Sequence, residues 1–264
     1  NLAFPLQVRK MDKSEVESRV QRALEMVRLP EFGDRRPGQL SGGQQQRVAV
    51  ARALVFDPQL VLMDEPLGAL DKNLREEMQY EIKHIHESLG VTVVYVTHDQ
   101  AEALTMSNRI AVFDDGIVQQ LAAPDVLYEK PDNAFVAGFI GENNRLMGKV
   151  TAIEGDICNV ELEGGGGAVQ ALRVNVGAVG DRTTLSLRPE RVTISPADGA
   201  TDNACPARVE ELIYLGDHIR TRLTVSGNDQ FIVKVPNAHG HILLNRGDEV
   251  NVGWATEDCR ALDA

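Results

Sequence analysis

The spacing of apolar positions divides the chain into a first stretch with both helical and strand periods and a second with strand periods only. Val16, Val20, Leu24 and Val27 recur at helical spacing behind Ser14, with Glu17 three residues on as a capping-box partner. Leu29-Pro30 stops that helix, and residues 33–38 read as a loop rich in Gly, Pro and charge. A second helix is expected over Gly43–Phe56, with Val48, Ala51, Leu54 and Val55 on one face, broken by Asp57-Pro58. Leu60–Met63 is a short, wholly apolar run, the pattern of a buried parallel strand. Lys72–Leu89 carries Leu74, Met78, Ile82, Ile85 and Leu89 in one helical stripe and ends at Gly90. A β-branched strand over Val91–Thr97, a helix over Asp99–Thr105 and an apolar strand over Ile110–Phe113 follow. Asp115-Gly116 predicts a hairpin turn into Ile117-Val118-Gln119. Helices alternating with apolar strands predict an α/β domain with a parallel sheet.

Between Phe135 and Leu146 the pattern changes, and the domain boundary is expected near residue 146. Short β-rich runs then alternate with Gly, Asn and Asp turns: Cys158–Leu162, Thr184–Leu187, Val192–Ser195, Ala207–Tyr214, Arg220–Val225, Gln230–Val235 and Glu249–Trp254. Strands this short and numerous predict a small barrel or sandwich. Gly164–Gly167 reads as a flexible hairpin tip.

Composition narrows the class. A length of 264 residues accommodates two domains, and 43% hydrophobic with 25% charged residues is ordinary for a soluble globular protein. A net charge of −12 argues against a nucleic-acid partner, and no run approaches the roughly 20 apolar residues of a membrane span. The segment Asn1-Leu2-Ala3-Phe4-Pro5 does not read as a signal peptide. Three scattered cysteines, Cys158, Cys205 and Cys259, read as free thiols of a reducing compartment. These bounds predict a cytoplasmic protein that serves a membrane, if at all, as a peripheral subunit.

Candidate chemistry lies between Leu40 and Asp99. In Leu40-Ser41-Gly42-Gly43-Gln44 two glycines precede a helix, so its exposed N–H groups and the Ser41 hydroxyl make an anion site, or simply a capped helix start. Leu60–Met63 delivers Asp64 and Glu65 at its C-terminal end, where α/β folds place their chemistry. Asp64 suits a water-rich Mg²⁺, and Glu65 can polarise a water attacking phosphorus. Asp71 follows the tight Gly68-Ala69-Leu70 turn and suits an N-cap. His98 follows an apolar strand, as the two acids do, and so falls on the same sheet edge. No His/Cys grouping has metal-ligand spacing.

In order, these four pieces resemble the ATP-hydrolysing subunit of an ABC transporter. The resemblance implies an α/β, RecA-like nucleotide-binding domain over residues 1–146 and an all-β, OB-like (TOBE) regulatory domain over 147–264. It makes Leu40–Gln44 the signature loop that grips the γ-phosphate of an ATP held by a second subunit. It makes Asp64 the Walker B acid holding Mg²⁺ through water, Glu65 the catalytic glutamate, Asp71 part of the D-loop and His98 the switch histidine. Partners implied are a second copy of the chain and transmembrane permease subunits, at the inner face of the cell membrane, with ATP and Mg²⁺ as ligands. Residues 135–143, Phe-Val-Ala-Gly-Phe-Ile-Gly-Glu-Asn, and Leu187-Arg188-Pro189-Glu190 look like the maltose and polyamine importer group, with polyamine favoured by Gly141-Glu142-Asn143-Asn144 and Tyr214-Leu215-Gly216-Asp217.

The family's phosphate loop, G-x-x-x-x-G-K-[ST], is nowhere in the chain; Gly164–Gly167 is followed by Ala168-Val169-Gln170 without a lysine. The nucleotide domain is therefore expected to be incomplete, starting just after the Q-loop, and the chain inactive alone. One alternative is a regulatory and dimerisation module carrying a vestigial ATPase part. Another is an ABC ATPase of DNA repair, against which stands the lack of sustained heptads.

Overall fold

The computed structural model describes all residues except Ala69, His241 and Ala264. It contains two compact units, residues 1–108 and 109–264.

The first unit begins with α1 (Ala3–Val8) and α2 (Lys13–Met26). The N-cap of α2 is Asp12, without a side-chain capping bond, so Ser14 lies inside the helix rather than before it. α3 (Gly42–Leu54), β1 (Leu60–Asp64), α4 (Lys72–Leu89), β2 (Thr92–Val96) and α5 (Gln100–Met106) complete it. Gly90 ends α4 in the left-handed conformation (φ 64°), its N–H donating to the His86 carbonyl. β1 and β2 pair in parallel, with Asp64 opposite Val96. Leu6, Leu24, Ala51, Leu54, Leu67, Met78 and Ile82 form the core on one side of this pair.

The apolar run of β1 is parallel, as expected, but not buried on both faces. Val61 and Met63 enter the core, while Leu60 and Leu62 are 50% and 73% exposed and Val94 and Val96 share their face. An unbroken apolar run identifies a strand without saying that both faces are covered.

The second unit opens with an antiparallel hairpin, β3 (Ile110–Asp114) and β4 (Ile117–Ala122), turning at Asp115 and Gly116, both at positive φ. β3 buries alternate residues only, unlike the buried strand expected there. α6 (Pro124–Glu129) and α7 (Ala134–Phe139) lead into β5 (Asn144–Glu154). β5, β6 (Ile157–Leu162), β7 (Ala168–Arg173), β8 (Arg182–Leu187) and the C-terminal strand, 259–262, close a five-stranded barrel. Between them in sequence run β9 (Thr193–Ile194), β10 (Asn203–Tyr214), β11 (His218–Val225), β12 (Asn228–Pro236) and β13 (Glu249–Trp254), so the last barrel strand is β14 (Cys259–Leu262). β9–β13 form a second sheet in the order β12-β11-β10-β13-β9.

One apolar core joins barrel and sheet, with Trp254 tilted against Phe231 at 6.4 Å between ring centres. The three cysteines are free and buried in it, and burial raises the pKa of each thiol. Gly164 sits so close to the Ser226 carbonyl that a Cβ would collide, so the 164–167 connection is packed against its neighbour.

Candidate functional site

The 40–44 segment folds as a capping box. Ser41 occupies the N-cap of α3; its Oγ accepts from Gln44 N–H at 3.3 Å, and its own N–H donates to Gln44 Oε1 at 2.9 Å. Gln45 Nε2 donates to the Leu40 carbonyl at 3.1 Å. The two glycines do different work. A Cβ on Gly43 would come within 2.7 Å of Leu74 Cδ1, so its bareness lets α3 approach α4, whereas a Cβ on exposed Gly42 would meet nothing within 4 Å. The open side of this positive helix end is therefore at Ser41 and Gly42. Leu40 and Gln44 shape the loop. Gln46 bonded to the Pro66 carbonyl and Arg47 paired with Glu77 fix α3 against the end of β1 and against α4.

At this same C-terminal end of β1, parallel pairing brings residues 64–65 and 97–98 to one sheet edge. Glu65 continues the ladder by donating its N–H to the Val96 carbonyl at 2.9 Å, then turns into the left-handed region at φ 43°. For a glutamate that conformation costs on the order of 1–3 kcal/mol, and such strain gathers at functional sites. Here it accompanies a contact in which His98 Nδ1 donates to Glu65 Oε1 at 3.0 Å. Both side chains are exposed. The hydrogen bond from Glu65, then its charge, raises the His98 pKa above the ordinary imidazole value. The contribution of the charged histidine is therefore fully present below the unfolded imidazole pKa of about 6.5 and is lost as pH rises through the folded-state pKa.

The Asp64 side chain is exposed and makes no hydrogen bond or ion pair among the described residues. Asp71 is the N-cap of α4, its Oδ1 accepting from Leu74 N–H at 3.1 Å. Ala69 lies outside the described residues. Replacing Asp71 with Ala should destabilise the first unit by about 1 kcal/mol. Urea unfolding followed by far-UV circular dichroism checks this, and an unchanged midpoint would show that the cap contributes nothing.

A network next to His98 has no signal in the sequence. Glu102 is 3% exposed, and its Oε2 accepts from the Tyr95 and Thr97 hydroxyls, each at 2.8 Å. Arg75 faces it from α4, Nε to Oε1 at 3.7 Å, and also meets Asp99 Oδ2 at 3.3 Å. Burial first, then the Glu102 hydrogen bond, raises the pKa of the Tyr95 hydroxyl, so it stays a neutral donor.

A parallel-strand edge carrying two acids and a histidine, beside a capped glycine helix start, is the later half of an ABC-type ATP-binding fold. The family model described as "ABC transporter" matches residues 3–68, and that described as "TOBE domain" matches residues 185–262. The spermidine/putrescine import ATP-binding protein PotA of Pseudomonas aeruginosa (strain UCBPP-PA14) is 45% identical over 258 residues, 96% of this chain and 71% of its own length. A protein of the same name from Chromobacterium violaceum is 46% identical over 260 residues, again 96% and 71%. Among solved structures, cbiO1 of Clostridium perfringens, part of an ABC transporter complex, matches 47% of this chain and 50% of its own at 28% identity and a TM-score of 0.45. The chain belongs to the family of ABC transporter ATP-binding proteins. Within that family it is similar to proteins named spermidine/putrescine import ATP-binding proteins, and its residues 185–262 match the TOBE domain.

Proposed function

We propose that this chain is the ATP-hydrolysing subunit of an ABC importer that energises uptake of a polyamine. The observation that carries the chemistry is the Glu65–His98 contact of 3.0 Å at a strand edge beside unpartnered Asp64. The solute class rests on the relatives' printed names.

In this reading two copies face each other across ATP. Ser41 and Gly42 of one copy receive the γ-phosphate of an ATP held mainly by the other, while Leu40, Gly43 and Gln44 keep that loop in shape. Glu65 accepts the proton of the attacking water as the water adds to phosphorus. His98, oriented by Glu65, contacts the γ-phosphate and holds the water in line. Asp64, free of protein partners, fits a water-bridged Mg²⁺; the ion, when bound, neutralises charge on the phosphate oxygens. Asp71 contacts the second copy. Residues 147–264 act as a regulatory domain beside a nucleotide domain ending near 146, and permease subunits are engaged at the cytoplasmic face of the membrane. No described helix is long and apolar enough to cross a membrane.

Because the sequence holds no G-x-x-x-x-G-K-[ST] loop, the chain by itself is expected to show neither micromolar affinity for ATP nor turnover. Titration with a fluorescent ATP analogue and Mg²⁺, alongside light scattering, checks this. Tight binding would mean that other groups hold the phosphates. A nucleotide-independent dimer without any activity when a phosphate-loop half is supplied would favour the regulatory and dimerisation module instead.

A further inference from the structure

We propose that Arg75 is a positioning residue that couples the 68–71 turn to the loop carrying His98, so that displacement of either is transmitted to the other. Its guanidinium reaches three groups on two separate segments. Nη2 donates to the Leu70 carbonyl at 3.0 Å, one residue before Asp71. Nη1 meets Asp99 Oδ2 at 3.3 Å, one residue after His98. Nε faces Glu102 Oε1 at 3.7 Å, and that Nε is buried without a hydrogen bond.

The far side of the network completes the link. Glu102 Oε2 takes the Thr97 hydroxyl at 2.8 Å, and Thr97 Oγ1 accepts from Asp99 N–H at 3.0 Å. His98 is thus bracketed by two residues of one charge network. Asp99 is further fixed as the N-cap of α5, accepting from Ala101 and Glu102 N–H groups at 2.9 and 3.3 Å. On the other segment, Arg75 N–H donates to the Asp71 carbonyl at 2.9 Å, so the arginine is built on the turn it holds.

The geometry calls for arginine. A planar guanidinium directs donors along diverging lines, so it can hold a carbonyl and two carboxylates at once, while a lysine ammonium is a single point charge. Glu102, almost fully buried, also depends on that cation. The unmade Nε contact leaves room to tighten when the turn is pressed inwards.

This inference rests on the ATPase reading for its purpose, since the turn is where a second copy would press and His98 is where chemistry would respond. Its test involves no nucleotide, so either reading can fail without the other.

Amide hydrogen exchange and imidazole ¹⁵N NMR on this chain, wild type, Arg75→Met, Arg75→Lys and Asp99→Asn, provide that test. In Arg75→Met, exchange should accelerate roughly tenfold at both 70–74 and 99–103, while Ile82 and Ile85 stay protected and the His98 imidazole signals move. Arg75→Lys should restore 99–103 but not 70–74. Asp99→Asn keeps the cap of α5 and removes only the charge, yet should loosen the 70–74 turn on the other segment. The proposal is overturned if Asp99→Asn leaves 70–74 unchanged, or if the Arg75 variants raise exchange equally throughout the first unit. Should Arg75→Met fail to fold, the lysine and Asp99→Asn samples decide.

Discussion

Replacing Arg188 with methionine should destabilise the 109–264 unit by roughly 3–5 kcal/mol, the scale of leaving buried polar groups without their partner. Arg188 is 6% exposed, and among the described residues no carboxylate is in hydrogen-bond contact with it. Its Nη1 donates to the carbonyls of Ala137, Ile140 and Glu142 at 3.2, 2.6 and 3.1 Å, and Nη2 to that of Tyr128 at 2.8 Å. The first two belong to the last turn and C-cap of α7, where the helix dipole favours a cation. The guanidinium also stacks 4.1 Å from the centre of the Tyr128 ring. Burial lowers its pKa, but from so high a start that it remains charged.

Methionine fills much of the same space and satisfies none of the four carbonyls. Lysine keeps the charge but cannot reach two segments, and should fall between the two. Trp254 is the single tryptophan and lies buried in the same unit, so its fluorescence in denaturant reads the loss directly. A change below about 1 kcal/mol would place the anchor elsewhere, since that is the ordinary scale of an unremarkable substitution.

Arg188 also shows what a sequence can and cannot disclose. Leu187-Arg188-Pro189-Glu190 stood out as a family pattern, yet nothing in its spacing connects it to residues 128–142. That connection is tertiary, completed by Tyr128 bonded to Glu190 and by Glu142 held between Arg220 (2.9 Å) and Lys234 (3.0 Å). Burial pushes the Glu142 carboxyl up, but these two cations win and keep its pKa below the ordinary value.

Elements governed by local physics were legible. The stripe of α4, its Asp71 cap and its Gly90 stop are all statements about neighbouring residues. The same holds for Ser41 and Gln44, and for the 115–116 turn. β5 was hidden by position rather than by weak alternation. It begins at buried Asn144, whose side chain pairs with the Ile232 backbone in both directions at 2.7 Å, acting as a piece of strand. Helix α1, six residues long, offers too few positions for a period. Glu102 looked like any acid in the first turn of a helix, because only the fold places Tyr95, Thr97 and Arg75 around it. Asp64 and Glu65 were readable for the opposite reason: an apolar strand ending in charge places them at a sheet edge whatever packs around it.

Glu65→Gln should reduce ATP turnover about 10²–10⁴-fold once the chain is supplied with a phosphate-loop half, the range expected for loss of a general base. Glutamine keeps the size of the side chain, its left-handed backbone and an acceptor for His98 Nδ1, so fold and histidine placement should survive. What is lost is the negative charge that, in the proposed reading, would take the water's proton, and that raises the His98 pKa. The second effect can be measured on this chain without nucleotide. Since Glu65 is the leading cause of the raised His98 pKa, through its hydrogen bond and then its charge, the variant's His98 should titrate closer to the free imidazole value. The sign matters. In wild type the pair favours the folded state at acid pH and fades as pH rises through the folded-state pKa, and in the variant that pH dependence should flatten. An NMR titration showing His98 unmoved would mean that the exposed pair does not persist in solution. Turnover reduced less than tenfold with a normal His98 shift would instead leave the pair intact and assign the water to another base.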